Sequence, residues 1–138
     1  MLRIIAFVAS LAGVLCLAAP AVAAPGGKTT TTSSISLAVP PAPTADAPVA
    51  DPRYGDVVTF DVFTDATARP WVNLKCYQGG TLVAEGWDGF FVGALGDRLF
   101  GLYSPSWTGG AADCTADLLM RVNDRWKQLA STSFHVDA

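Results

Sequence analysis

The sequence predicts an all-β chain folded as an antiparallel sandwich of about seven strands. Three observations carry this prediction: apolar residues alternate with polar ones along most segments after Val57, turn signals separate those segments at short intervals, and two cysteines, Cys76 and Cys114, stand on two of the alternating runs. Alternation with period two is the pattern of a strand with one buried face, and several such runs joined by Gly, Asn and Asp turns argue for two packed sheets. No segment holds a sustained helical period with capping residues.

Taken in order, Gly55-Asp56 opens a strand from Val57 to Thr64, with Val58, Phe60 and Val62 on one face. Trp71 to Tyr77 follows, with Val72, Leu74 and Cys76 inward and Trp71, Asn73, Lys75 and Tyr77 outward. Gln78-Gly79-Gly80 supplies positive-φ residues for a hairpin into Thr81 to Glu85, and Trp87 precedes a turn at Asp88-Gly89. Phe90 to Val92 and Leu99 to Tyr103 read as two short strands. Asp113 to Val122 is the longest clean alternation, with Cys114, Ala116, Leu118, Met120 and Val122 on one face, and Asn123-Asp124 turns the chain into a last strand, Arg125 to Val136.

The chain divides into three parts. Arg3, the apolar run Ile4 to Ala19, Pro20 and the small residues Ala21-Val22-Ala23 form an export signal over 1–23, cut after Ala23. The apolar run is shorter than the ~20 residues a spanning helix needs, so no membrane insertion is expected once it is removed. Residues 24–52 are rich in Pro, Thr, Ser and Ala and form a linker, in which only Ile35 to Val39 alternates as an edge strand would. The globular domain is 53–138. Export implies an oxidising compartment, where Cys76 and Cys114, the two cysteines outside the signal, pair as one disulfide.

Composition excludes several functions. The sequence has 9 Lys and Arg against 12 Asp and Glu, a net charge of −3. It therefore offers no basic surface to neutralise phosphates, and nucleic acid is excluded as a partner. A metal site needs clustered ligands, but His135 is the single histidine and both domain cysteines are committed to the bridge. His135 alternates to the opposite face from Phe134 and Val136, as a solvent-facing strand residue rather than a member of a triad, and no G-x-S-x-G is present. Glu85 and Asp88 are the only closely spaced carboxylates beside an aromatic, and Asp88 is explained by its D-G turn. No cofactor is expected, and no enzyme.

Cys76 on an early strand, Trp87 eleven residues on, and Cys114 on a late strand that hairpins into the last one resemble the Cys-Trp-Cys order of an immunoglobulin-like domain. Gly110 fits that pattern four positions before Cys114, whereas Ala112 occupies the place of the corner tyrosine. The Tyr-Gly-Asp-x-Val-Thr-Phe opening at Tyr54 to Phe60, Leu74 to Gly80, and Gly109 to Leu118 also resemble small secreted immunoglobulin-like proteins of actinobacteria and their phages. The resemblance implies an inter-sheet disulfide with Trp87 in the core against it, an extracellular location and no catalytic activity.

The remaining aromatics are the candidate ligand-binding residues. Trp71 and Tyr77 share the outward register, either as an exposed pair or as cross-strand cover for the sheet. Trp107, in a Ser-Pro-Ser-Trp-Thr-Gly-Gly corner, either contacts a ligand or plugs the end of the core. Trp126 sits between Arg125 and Lys127 as a stacked or cation–π contact. The expected function is a secreted, non-enzymatic recognition or adhesion module for an extracellular protein or glycan. Carbohydrate binding through Trp107 or the Trp71 and Tyr77 pair, protease inhibition by a loop braced by the bridge, and decoration of a phage particle are the alternatives.

Overall fold

The computed structural model describes residues 30–40 and 51–138, so the export signal 1–23 and most of the predicted linker lie outside the described residues. Seven strands form among the described residues: β1 (Ser33–Ala38), β2 (Val57–Thr64), β3 (Trp71–Gln78), β4 (Thr81–Gly89), β5 (Phe100–Gly101), β6 (Ala112–Val122) and β7 (Arg125–Val136). Two tight turns fix most of their pairing. Gly79 and Gly80 have φ of 54° and 82°, and Asn123 and Asp124 have 48° and 61°, so both hairpins close through two-residue turns with positive φ at both positions. Such turns match the twist of the strands they join.

The strands pair antiparallel into two sheets, β1-β2-β5 and β4-β3-β6-β7. These are the A-B-E and C′-C-F-G orders of an immunoglobulin-like sandwich. Ile35, Val58, Phe60 and Phe100 from the smaller sheet and Val72, Leu74, Val83, Ala116, Leu118 and Val136 from the larger one belong to one buried cluster. Each of the Val, Leu, Ile and Phe side chains contributes about 1.5–3 kcal/mol on burial. The C-terminal end is held to the start of the domain: Asp137 donates its N–H to the Pro52 carbonyl and accepts that of Tyr54, both at 2.9 Å.

The number of strands agrees with expectation, but its members do not all agree. Ser33–Ala38, inside the predicted linker, pairs in register with β2 from Ser33 opposite Thr64 to Ala38 opposite Thr59. The folded unit therefore begins before Arg53. Phe90 to Val92, in contrast, is loop. Asp88 is not in a turn but on β4 and buried, where its carboxylate accepts the N–H groups of Gly89 and Arg98 at 2.6 Å each. Binding the amides at both ends of 89–98 pulls that segment into a closed loop, and Gly96 lies so near that carboxylate that a Cβ there would collide with it.

Cys76 and Cys114 are bridged, but within one sheet and not between two. β3 pairs directly with β6 and sets the two cysteines opposite each other with Cα atoms 4.1 Å apart. The β3–β6 register makes them partners by placing them directly opposite, whereas the inter-sheet bridge of the immunoglobulin type needs one cysteine on a strand of each sheet.

Candidate functional site

Trp107, the aromatic of the glycine-rich corner, is only 1% exposed and plugs the core, which removes it from the ligand-binding candidates. Its indole Nε1 donates to the Gly110 carbonyl at 3.1 Å, and its ring meets that of Tyr54 edge-on at 5.4 Å. The Tyr54 hydroxyl donates to the Trp107 carbonyl at 3.0 Å, and Ser104 Oγ accepts the Trp107 N–H while donating to the Val83 carbonyl. A buried indole needs its N–H satisfied, and the tight corner supplies the acceptor.

Trp87 is the converse case. Its spacing from Cys76 predicts a core position, yet it is 44% exposed on the outer face of the larger sheet. The cause is a β-bulge. Tyr77 pairs with Leu82 but Cys76 pairs with Ala84, so Val83 is an extra residue on β4. Beyond it Trp87 stands opposite Asn73, which is on the outer register of β3 but buried there with its amide on Glu85 and the Gly86 carbonyl, and the Trp87 Nε1 donates to Glu85 Oε1 at 3.1 Å. The other edge strand repeats the device. Leu118 pairs with Ala130 and Leu119 with Gln128, which makes Leu129 the extra residue and leaves Trp126 opposite the outward-facing Arg121.

Both tryptophans thereby join Trp71. The Trp71 and Trp126 rings are 6.2 Å apart at 69°, the Trp87 and Trp126 rings 5.1 Å apart at 38°, and Trp71 meets Phe91 edge-on at 5.5 Å. Trp126 reaches this cluster although β7 and β4 are opposite edges of the sheet, consistent with the bend and added twist that a bulge gives a strand. The cation over Trp126 is Arg121, at 5.9 Å, in place of the expected Arg125 or Lys127. Tyr77 shares the outer face but not the cluster. It stands six residues from Trp71 along β3, about 20 Å at strand rise, so the two do not form a pair.

The rings border a groove of about 940 Å³, rimmed by Thr67 and Arg69 from the β2–β3 connection and by Arg121, Asn123 and Asp124 from the β6–β7 hairpin. It adjoins a second hollow of about 550 Å³, between Trp71, Trp87 and the 89–96 loop. Arg121 is paired with Asp124 at 3.1 Å, and the Arg69 guanidinium lies 5.0 Å over the Phe91 ring. A hollow of this size lined by aromatic rings, with a few polar groups at its rim, has the form of a ligand site.

His135 is exposed on the same sheet face, with Nδ1 2.8 Å from Asp113 Oδ1. The hydrogen bond to that carboxylate holds the imidazole pKa above its usual 6.5. Asp113 lies eight residues from Arg121 along β6, about 26 Å from the groove, so the histidine and the aromatic site are separate features. Among the described residues no three His, Cys, Asp or Glu side chains are grouped to hold a metal.

Fold and site together define an immunoglobulin-like sandwich carrying an aromatic groove on the outer face of its four-stranded sheet. Comparison with protein-family models, with curated proteins and with solved structures finds no match to this chain.

Proposed function

We propose that this chain is a secreted, non-enzymatic recognition module that holds an extracellular partner in the groove between Trp71, Trp87 and Trp126. The observation that carries the reading is the exposure of Trp87 and Trp126, 44% and 46%, side by side on a face that the sheet could have covered with polar residues. An indole side chain buries about 150–250 Å², so leaving nearly half of each in water forgoes about 2 kcal/mol per residue. Contiguous apolar surface on a small domain is the usual mark of a binding site. Secretion is supported by the disulfide, which suits an oxidising compartment, and by the export signal read from 1–23. A non-enzymatic role is supported by the placement of the histidine far from the groove and by the commitment of both domain cysteines to the bridge.

The test is adsorption of the labelled mature chain to the intact envelope of the cells that produce it. The Trp87→Ala/Trp126→Ala double variant should stay folded at the assay temperature, as its thermal midpoint checks, and lose at least tenfold in retention. Equal retention would overturn the reading, as would hydrolytic turnover that His135→Ala abolishes.

A further inference from the structure

We infer that the groove takes an acidic saccharide, a pyranose chain carrying carboxylate or phosphate groups, an assignment that rests on reading the groove as the recognition site. A pyranose presents a face of C–H groups and a rim of hydroxyls. The groove presents the complement. Trp87 and Trp126 offer two half-exposed indoles 5.1 Å apart and tilted by 38°, which form a cleft and not a closed stack. Planar polar groups at the rim, the Arg121 and Arg69 guanidiniums and the Asn123 amide, lie where ring hydroxyls would project. Such groups bind adjacent oxygens in pairs.

The preference for an acid follows from which polar groups are already occupied. Asp124 is engaged by Arg121 at 3.1 Å, and Asp88 by two backbone N–H groups at 2.6 Å. Glu85 accepts from both Trp87 Nε1 and the Asn73 amide, at 3.1 Å each. Of the two arginines lining the hollows, Arg69 has no carboxylate partner among the described residues; its guanidinium is held over Phe91 at 5.0 Å and its backbone N–H is fixed on Thr67 Oγ1 at 3.1 Å. The hydrogen-bonding capacity left to the site is therefore cationic and donating, set beside an aromatic floor. A carboxylate or phosphate on the sugar meets that donor, and a neutral sugar leaves it to water.

A lipid surface is the rival occupant, because Val92 and Leu95 on the neighbouring loop are fully exposed. The two differ in their dependence on the tryptophans: a bilayer would be met by the loop tip, and a sugar by the cleft. The experiment is a tryptophan-fluorescence titration of the mature chain with trigalacturonate, glucose 6-phosphate, neutral cellotriose and phosphatidylglycerol vesicles. The wild type should bind at least one acidic sugar at least tenfold more tightly than cellotriose, and which of the two it favours identifies the anion as carboxylate or phosphate. Arg69→Gln should bring acidic and neutral sugars to the same affinity, Arg69→Lys should restore part of the difference, and Trp126→Ala should abolish sugar binding. Cellotriose binding as tightly as the acids, or vesicle binding that survives Trp126→Ala, would overturn the acidic-saccharide assignment. If no sugar binds while the double tryptophan variant still loses its hold on the envelope, this inference fails and the recognition reading stands; if the envelope result is also flat, both fail.

Discussion

Replacing Trp107 with alanine removes the largest fully buried side chain of the molecule and the hydrogen bond from its indole to Gly110. A buried Trp-to-Ala change costs about 3–5 kcal/mol, against the 5–15 kcal/mol that typically holds a whole domain together. Trp107→Ala should therefore lower the urea midpoint steeply, whereas Trp87→Ala and Trp126→Ala should each cost about half as much, since nearly half of each ring is already in water. Similar midpoints for the three variants would mean that Trp107 does not brace the corner. The Trp107→Phe change isolates the polar part: it keeps an aromatic plug but leaves the Gly110 carbonyl without its donor, at a cost of about 1–3 kcal/mol. The sequence leaves Trp107 open between plug and ligand contact because a loop tryptophan has no period to assign it a face. Its burial is decided by Tyr54 and Ser104, whose hydrogen bonds to the corner come from distant parts of the chain and from its own turn.

At the scale of the strand, alternation identifies the inward faces of β2, of β3 and of β6 as far as Leu118, because those strands run without an extra residue; beyond it Leu119, on the outer register, is buried and Val122, expected inward, is exposed. It fails for Trp87 because a one-residue insertion exchanges the two faces beyond it. Pairing outward from the Gly79-Gly80 turn without interruption would set Trp87 opposite Val72, on the core face; the bulge at Val83 sets it opposite Asn73, on the outer register. β7 carries its own legible conflict. The Asn123-Asp124 turn places Trp126 opposite Arg121, outward, while strict alternation back from Val136 would place it inward, and only an inserted residue reconciles the two. β1 was legible as an alternating island but not as part of the domain, since its partner strand lies some two dozen residues away. Its contribution is testable by truncation. A chain beginning at residue 53 loses the burial of Ile35, worth about 1.5–3 kcal/mol, and bares the hydrogen-bonding edge of β2. It should unfold at a lower urea midpoint than a chain beginning at residue 30 and should associate as concentration rises. Equal midpoints would show that β1 is an ornament of the sheet and not a member of it.

For the whole molecule, the bridge between Cys76 and Cys114 joins two central strands of the larger sheet and closes a sequence separation of 38. Loop-closure entropy of that length stabilises the folded state by about 4 kcal/mol, through restriction of the unfolded chain and not through contacts in the native one. Cys76→Ala/Cys114→Ala should accordingly lose about 4 kcal/mol in equilibrium urea unfolding, with the native fluorescence nearly unchanged, and a loss below about 1 kcal/mol would refute the entropic origin. The same two strands position the groove: β3 carries Trp71, and β6 carries Arg121 and leads into the hairpin that holds Trp126. Yet both cysteines face the core, on the opposite side of the sheet from the tryptophans. Reduction should thus act on binding only through folding, and ligand retention should fall in step with the folded fraction as reductant and urea are raised together. A reduced chain that stays folded but no longer binds would show instead that the crosslink shapes the outer face directly, through the pleat it imposes on β3 and β6.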